Sequence, residues 1–230
     1  MTFFEPKKTS GVYVAFFLMF LFGTENLLAA QPKPVTIIAL GDSTTAGTPA
    51  FRSPVEAPPA GEGNEKSQYA YWMMLRNPEY IVFNRGVNGE RTEQIFERFK
   101  KYVTTETPDA VIVLAGVNDL YQGASAEKVE VQLQKIYALA VQKKIKVVAC
   151  TILPYNRAVP AVIIKTIQVN RWIQGFAKQN GFLFCDTFQI VSHPEKFGKL
   201  RGSPDGLHPD IDGYKRMGEA LAITLEHQFN

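Results

Sequence analysis

Three short stretches lie far apart along the chain and carry side chains suited to nucleophilic catalysis. They are residues 41–43 (Gly-Asp-Ser), 116–119 (Gly-Val-Asn-Asp) and 205–208 (Asp-Gly-Leu-His). A serine hydroxyl attacks a carbonyl carbon efficiently when a base takes its proton, and the base works best when a carboxylate orients it. The oxyanion that forms needs hydrogen-bond donors already in place. These stretches hold a candidate for each role.

Asp205 and His208 are predicted to form an oriented base. They are three residues apart, so a turn or a helical start places both side chains on the same side. The carboxylate would then accept a hydrogen bond from Nδ1 of the ring, which leaves Nε2 to take the proton of Ser43. Each residue alone also suits a turn or an exposed surface. Their occurrence together with Ser43 and Asn118 favours the catalytic interpretation.

Three groups are candidate oxyanion donors: the backbone amides of Ser43 and Gly89 and the side-chain amide of Asn118. Because glycine lacks a Cβ atom, its N–H can approach a substrate closely. Gly89 also suits an ordinary turn after Asn88, and only its position after the second predicted strand favours a functional role.

Asp42 and Asp119 flank the candidate catalytic positions. A pair of carboxylates is also the apparatus of glycosidases. Both residues follow a predicted strand, where Asp commonly binds backbone amides, so we expect a structural role for each. His193 and His227 are predicted to lie at the surface without a chemical role.

The elements that must position these residues follow a regular alternation. Five apolar runs indicate strands buried in a parallel sheet; they are residues 35–40, 80–83, 110–115, 145–151 and 182–185. Apolar residues at intervals of three and four predict helices; these cover residues 68–76, 92–103, 126–143, 161–179 and 211–228. The βαβα pattern predicts an α/β fold with a doubly wound parallel sheet and helices on both faces.

The candidate residues fall at the ends of these strands. Ser43 follows the first strand, Gly89 the second and Asn118 the third, while residues 205–208 precede the last helix. Ligands of open parallel sheets bind beyond the carboxyl ends of the strands. We therefore expect the candidate residues to converge there.

Residues 48–67 are rich in Pro and Gly and have no periodicity. Loops of this length in a compact domain are commonly functional or disordered. We expect this loop to form a wall or lid of the active site, the alternative being a solvated insertion. Tyr121 and residues 155–157 follow the third and fourth strands and are candidates for lining the substrate cleft.

The sequence resembles the SGNH hydrolase superfamily, also called the GDSL esterases, from Thr36 to Leu225. Four blocks carry the resemblance, in order: residues 41–47, 84–89, 116–119 and 205–208. Thr44 replaces the leucine of the GDSL name. The chain lacks G-x-S-x-G, which argues against an α/β-hydrolase nucleophile elbow.

The resemblance implies Ser43 as nucleophile, His208 as general base and then acid, and Asp205 as its orienting partner. It implies an oxyanion hole made by the Ser43 and Gly89 amides and the Asn118 side chain, with no metal and no cofactor. It also implies a flavodoxin-like three-layer α/β/α sandwich whose five strands have the order 2-1-3-4-5. That order makes the strands bearing Cys150 and Cys185 neighbours.

The N-terminal residues indicate export. Lys7 and Lys8 precede the apolar run 11–23, and Ala29 and Ala30 suit a signal peptidase site. We predict a signal peptide over 1–30, the alternative being an uncleaved signal anchor, and a single catalytic domain over 31–230, periplasmic or extracellular. A membrane would be contacted only through the uncleaved segment.

The composition and the cysteine content argue against several other classes of function. A chain of 230 residues with 46% hydrophobic residues fits one domain. The net charge of +3 is small and its basic residues are scattered, which disfavours nucleic-acid binding. Cys150 and Cys185 are expected to be buried free thiols, with a disulfide as the alternative if their strands are adjacent. No His or Cys lies at metal-ligand spacing from them.

The sequence therefore predicts an exported serine esterase that hydrolyses acyl or acetyl esters through an acyl-serine intermediate. An acyltransferase, or a lysophospholipase or thioesterase with the same triad, remains an alternative, as does a non-catalytic carbohydrate-binding domain of this fold. A nucleotide binder is disfavoured because no glycine-rich phosphate loop follows the first strand. The substrate would be a small-molecule, glycan or lipid ester, and the polar loop 48–67 slightly favours a sugar ester. The oligomeric state is not indicated.

Overall fold

The computed structural model describes residues 1–3, 33–226 and 228–229, and the helices and strands that it describes lie between residues 35 and 225. Apart from residues 1–3, the predicted signal segment lies outside the described residues, as do the predicted domain start at Gln31 and His227. These stay predictions. None of the described helices is long and apolar enough to cross a lipid bilayer.

The described strands form a five-stranded parallel sheet and a small antiparallel hairpin. In chain order they are β1 (Val35–Gly41), β2 (Phe51–Arg52), β3 (Glu62–Gly63), β4 (Tyr80–Gly86), β5 (Ala110–Leu114), β6 (Lys146–Cys150) and β7 (Leu183–Cys185). The hairpin pairs β2 with β3, and the sheet has the order β4-β1-β5-β6-β7. Counted over the sheet's own five strands this is the predicted order 2-1-3-4-5. The hairpin was not predicted from the sequence. Its two strands, β2 and β3, are the reason that the strand numbers differ from those of the predicted order.

Helices connect the parallel strands. They are α1 (Ser43–Ala46), α2 (Tyr69–Arg76), α3 (Thr92–Thr105), α4 (Val117–Tyr121), α5 (Ala126–Gln142), α6 (Pro160–Asn180), α7 (Thr187–Val191) and α8 (Ile211–Leu225), with a single 3₁₀ turn at Glu65–Ser67. The five long helices match the predicted ones to within a few residues at each end. The short helices α1, α4 and α7 were not predicted, because one turn is too short to display a helical period.

The sheet is buried on both faces, which explains the continuous apolar character of its strands. Alternate residues of a strand point to opposite faces. Ile37 and Ala39 of β1 belong to a core cluster that includes the buried faces of α2 and α8. Ile38 and Leu40 belong to a second cluster that includes those of α3, α5 and α6. The fold is therefore the predicted three-layer α/β/α sandwich.

Cys150 and Cys185 lie side by side at the ends of β6 and β7, paired in register. Both are buried free thiols, as expected from the sequence. Burial raises the pKa of the Cys150 thiol well above its usual range and that of Cys185 to about 11. Both thiols are therefore protonated at neutral pH and react poorly as nucleophiles.

Candidate active site

Ser43 lies at the start of α1, immediately beyond the carboxyl end of β1. Asp42 caps this helix, since its Oδ1 atom accepts a hydrogen bond from the backbone N–H of Thr44 at 3.0 Å. The helix lies very close to β4: a Cβ atom on Gly86 would be 2.1 Å from the backbone nitrogen of Ala46. Glycine at 86 thus lets the turn that carries the serine pack directly on the sheet.

Asp205 and His208 are arranged by a tight loop before α8. Oδ1 of Asp205 accepts hydrogen bonds from the backbone N–H groups of Leu207, at 2.8 Å, and of His208, at 2.9 Å. Its other oxygen, Oδ2, lies 2.6 Å from Nδ1 of the His208 ring. One carboxylate therefore fixes both the loop and the ring that the loop carries.

The structure brings the three predicted residues together. Nε2 of His208 lies 2.9 Å from Oγ of Ser43, and both side chains are largely buried. Such a series of carboxylate, imidazole and hydroxyl can pass the hydroxyl proton to the ring as the oxygen attacks an electrophile.

The pKa values of two carboxyl groups near Ser43 are shifted in opposite directions. Burial alone would raise the pKa of Asp205, but hydrogen bonds from the ring and backbone of His208 and from the Leu207 amide hold it below its usual value. That carboxylate is ionised at neutral pH and can stabilise an imidazolium. Burial raises the pKa of Asp42 to about 7, with a contribution from the nearby carboxylate of Asp119.

The candidate oxyanion donors lie on three segments at the carboxyl edge of the sheet, one of them the start of α1, which carries Ser43. Asn118 lies in α4, beyond β5, and its Nδ2 group donates to the backbone oxygen of Glu90 at 2.9 Å. Gly89 lies beyond β4 with a φ of 75° in the left-handed region that favours glycine, and no atom lies within 4 Å of the place a Cβ atom would take. Ser43, Asn88 and Asn118 line the same cavity.

That cavity has a volume of about 170 Å³, and its walls are mainly apolar. The apolar lining comes from the end of β5, the segments that follow β5 and β6, and the loop before α8: Leu114, Ala115, Val117, Ile152, Leu153, Pro154 and Leu207. Tyr121 and Tyr155 also line it, as expected, with their rings edge to face at 6.1 Å between centroids. Asn156 and Arg157 do not line it.

The loop 48–67 does not line the cavity, so the expectation of a wall or lid there was wrong. It packs behind the loop that carries Gly89 instead. Oγ of the fully buried Ser53 donates to the Gly86 carbonyl oxygen at 2.6 Å, and Oε1 of Glu56 accepts from the Asn88 backbone N–H at 3.0 Å. Its polar groups are engaged in holding the neighbouring loop.

Asp42 and Asp119 have the expected structural roles. Asp42 caps α1, as described above. Asp119 accepts from both the backbone N–H and the hydroxyl of Thr92, at 2.9 and 2.7 Å, which fixes the start of α3 against α4. His193 accepts backbone N–H bonds from residues 195 and 196 in a turn, away from the site.

Glu90 and Arg98 also lie beside the site and were not among the residues predicted from the sequence. They form a largely buried ion pair, with Nε of Arg98 2.7 Å from Oε2 of Glu90. A signal for Arg98 was present: it lies three residues after Ile95 and one before Phe99, on the apolar face of α3. A charged residue on a buried helix face has a partner in the core or beside a site.

No three His, Cys, Asp or Glu side chains among the described residues are placed to share a metal ion.

The model of the GDSL-like Lipase/Acylhydrolase family matches residues 39–216. N-acylneuraminate cytidylyltransferases from two strains of Streptococcus agalactiae, of serotypes V and III, are 30% identical over 128 residues, which cover 54% of this chain. The match spans only 30% of the length of those relatives, so it does not carry over the activity in their name.

Solved structures share the fold. A lipolytic protein of the G-D-S-L family from Desulfitobacterium hafniense is 22% identical with a TM-score of 0.69, covering 83% of this chain and 99% of its own. A GDSL-like lipase from Bacteroides thetaiotaomicron is 23% identical with a TM-score of 0.67, covering 87% and 94%. An acetyl-xylooligosaccharide esterase from Geobacillus is 18% identical with a TM-score of 0.68, covering 84% and 96%. With a family match over most of its length, this chain belongs to the GDSL-like lipase/acylhydrolases of the SGNH hydrolase superfamily.

Proposed function

We propose that this protein is an exported serine esterase in which Ser43 is the nucleophile, His208 the general base and acid, and Asp205 the group that orients the imidazole. One observation carries the proposal: Nε2 of His208 is 2.9 Å from Oγ of Ser43 while Nδ1 is 2.6 Å from Oδ2 of Asp205. Both distances are within hydrogen-bond reach, as a nucleophile, base and orienting acid require.

The reaction proceeds through an acyl-serine. As Oγ of Ser43 bonds to the carbonyl carbon, its proton passes to Nε2 of His208 and the carbonyl oxygen becomes an oxyanion. The C–O bond to the alcohol then breaks, and the departing oxygen takes the proton from Nε2. Water attacks the acyl-serine, gives a proton to Nε2 and releases the acid as Oγ regains the proton.

Asn118 can donate to the oxyanion without losing its structural bond. A carboxamide nitrogen carries two N–H groups. One donates to the Glu90 carbonyl oxygen at 2.9 Å, which holds the side chain, and the second remains for the oxyanion. The backbone amides of Ser43 and Gly89 would supply the other donors.

The cavity indicates the size of the group bound beside Ser43. An apolar protein cavity of about 150 Å³ binds benzene. The cavity here, at about 170 Å³ with mainly apolar walls, suits an acyl group of roughly four to six carbons or a small aromatic ring. The earlier preference for a sugar ester depended on the loop 48–67, which does not line this cavity.

A panel of p-nitrophenyl esters from acetyl to dodecanoyl tests the proposal. We expect kcat/KM to rise from acetyl to about hexanoyl and to fall for longer chains, because a longer chain exceeds the cavity. A steady rise up to dodecanoyl would contradict the size argument. Product analysis with a competing alcohol separates hydrolysis from acyl transfer.

Ser43→Ala tests the nucleophile. We expect no turnover and no labelling by a fluorophosphonate probe, with an unchanged circular dichroism spectrum. Ser192→Ala is the matched control, because the Ser192 hydroxyl only donates to the Phe188 carbonyl oxygen within α7 and its C-cap. Retained activity in Ser43→Ala would reject the nucleophile.

Export is supported by the basic and apolar character of residues 1–30. N-terminal sequencing of the protein recovered from outside the cytoplasm should begin at Gln31. Recovery of an intact N-terminus in the cytoplasmic fraction would reject this part of the proposal.

A further inference from the structure

Arg98 donates hydrogen bonds to three residues at the carboxyl edge of the sheet. Its guanidinium donates to the carboxylate of Glu90, to the carbonyl oxygen of Arg85 at 2.7 Å and to the carbonyl oxygen of Gly41 at 3.1 Å. Only about 15% of the Arg98 side chain is exposed. A guanidinium presents five N–H donors in a rigid fork, which lets one side chain bind all three acceptors.

Two of these acceptors lie beside proposed oxyanion donors, and the third donor, Asn118, is reached through Glu90. Gly41 lies two residues before Ser43, at the end of β1. Glu90 directly follows Gly89, and its backbone oxygen accepts the Nδ2 bond that holds Asn118. The Glu90 carboxylate and carbonyl thus connect Arg98 on one side with Asn118 on the other.

The pair is distinct from the reacting groups. Neither Glu90 nor Arg98 lines the cavity beside Ser43. Any effect on turnover must therefore act through the position of the loops that they hold. Small displacements matter there, because a shift of about 1 Å in a reacting or stabilising group costs on the order of 10²-fold in rate.

We propose that Glu90 and Arg98 are positioning residues that fix the oxyanion donors of Ser43, Gly89 and Asn118 relative to one another. This inference rests on the proposed esterase function. Without the pair, the donors are less well placed to stabilise the oxyanion, which exists only in the transition state. Binding of the uncharged ester is weakened less. The expected signature is a lower kcat with little change in KM.

The chain offers a matched control pair. Arg85 and Glu106 also join β4 to the α3 segment by a largely buried ion pair, with Nη2 to Oε1 at 2.6 Å. The Glu106 carboxylate has no contact with the loops beside Ser43, so its loss tests the cost of breaking a buried pair without disturbing the donors.

The experiment compares Glu90→Gln and Arg98→Lys with the control Glu106→Gln, well below the melting temperature of each variant. For Glu90→Gln and Arg98→Lys we expect kcat to fall about 10- to 100-fold, KM to stay within about twofold, and the rate of fluorophosphonate labelling to fall in parallel. Arg98→Lys keeps the positive charge, but an ammonium has a single nitrogen, whereas the three acceptors are bound by three different nitrogens of the guanidinium. The Glu106→Gln variant should keep kcat within about twofold.

Unchanged kcat in both Glu90→Gln and Arg98→Lys would overturn the inference, and so would an equal loss in Glu106→Gln, which would indicate general destabilisation. If Glu90→Gln does not fold, Arg98→Lys and the labelling rate decide. Failure of the wild-type protein to label at Ser43 would reject the proposed function itself. Normal labelling of the wild type with unaffected Glu90 and Arg98 variants would reject the positioning role alone.

Discussion

Oγ of Ser43 and Nε2 of His208 lie 2.9 Å apart although 165 residues separate them in the sequence. In contrast, the contact between His208 and Asp205 spans only three residues and is set within one loop. The imidazole is thus oriented locally, and the packing of the whole sheet places it against the hydroxyl. We therefore expect mutations to affect the Ser43–His208 contact and the Asp205–His208 contact differently.

Asp205→Asn should keep the loop but spoil the ring orientation. The Asn oxygen can still accept from the Leu207 and His208 amides, whereas its NH₂ group would face Nδ1 and favour the tautomer with the proton on Nε2. We expect kcat to fall on the order of 10⁴-fold with an unchanged melting temperature. Steady-state kinetics and thermal unfolding measure both, and a loss of less than about tenfold would count against the orienting role.

Asn118→Ala should remove one oxyanion donor. We expect kcat to fall about 10²- to 10³-fold while KM changes little, because the donor acts mainly on the transition state. Gln122→Ala, at the exposed end of α4, serves as the control. A KM effect without a kcat effect would instead assign Asn118 to substrate binding.

Asp42→Asn should change how stability depends on pH. The unfolded chain releases the Asp42 proton near pH 3.8, whereas the folded protein keeps it up to about pH 7. Between these values the folded state binds more protons, so this residue makes the free energy of unfolding fall as pH rises. Asn keeps the cap without the charge.

Denaturant unfolding of the wild type and Asp42→Asn at pH 5 and pH 8 tests this. The variant should gain stability relative to the wild type at the higher pH by a few kcal/mol, given about 1.4 kcal/mol per pKa unit. If the free energies of unfolding of the two proteins differed by the same amount at both pH values, this would show that burial does not raise the pKa of Asp42.

Gly86→Ala should destabilise the domain, because the new methyl group would meet the backbone of α1 at Ala46. Overpacking of this kind costs about 1–3 kcal/mol or more. Gly175→Ala is the control: no atom lies within 4 Å of its Cβ position in the middle of α6, and alanine there should stabilise the helix by up to about 1 kcal/mol. Equal midpoints of denaturation in the two variants would contradict the close approach of α1 to β4.

The sequence was informative where structure is local or periodic. The buried strand at 35–40, the long helices and the strand-end placement of Ser43 and Asn118 all follow from short-range patterns. The contact between Asp205 and His208 could be predicted because the two residues lie three positions apart in one turn.

The remaining features depend on packing between distant segments. Helices as short as α1 and α4 show no period. The position of the loop 48–67 depends on Ser53 and Glu56 meeting the end of β4, which no local pattern reports. Arg98 was visible as a charge on an apolar helix face, but its acceptors become apparent only once β1 and β4 are adjacent.

The span between Ser43 and His208 has a consequence for how activity appears during biosynthesis. The hydroxyl is synthesised early and the imidazole near the end of the domain, so a nascent chain holds an inert alcohol until α8 docks. With Ser43 as the proposed nucleophile and His208 as its proposed base, acylation by cellular esters would await completion of the sandwich, and fragments ending before residue 205 should have no esterase activity however well their first strands assemble.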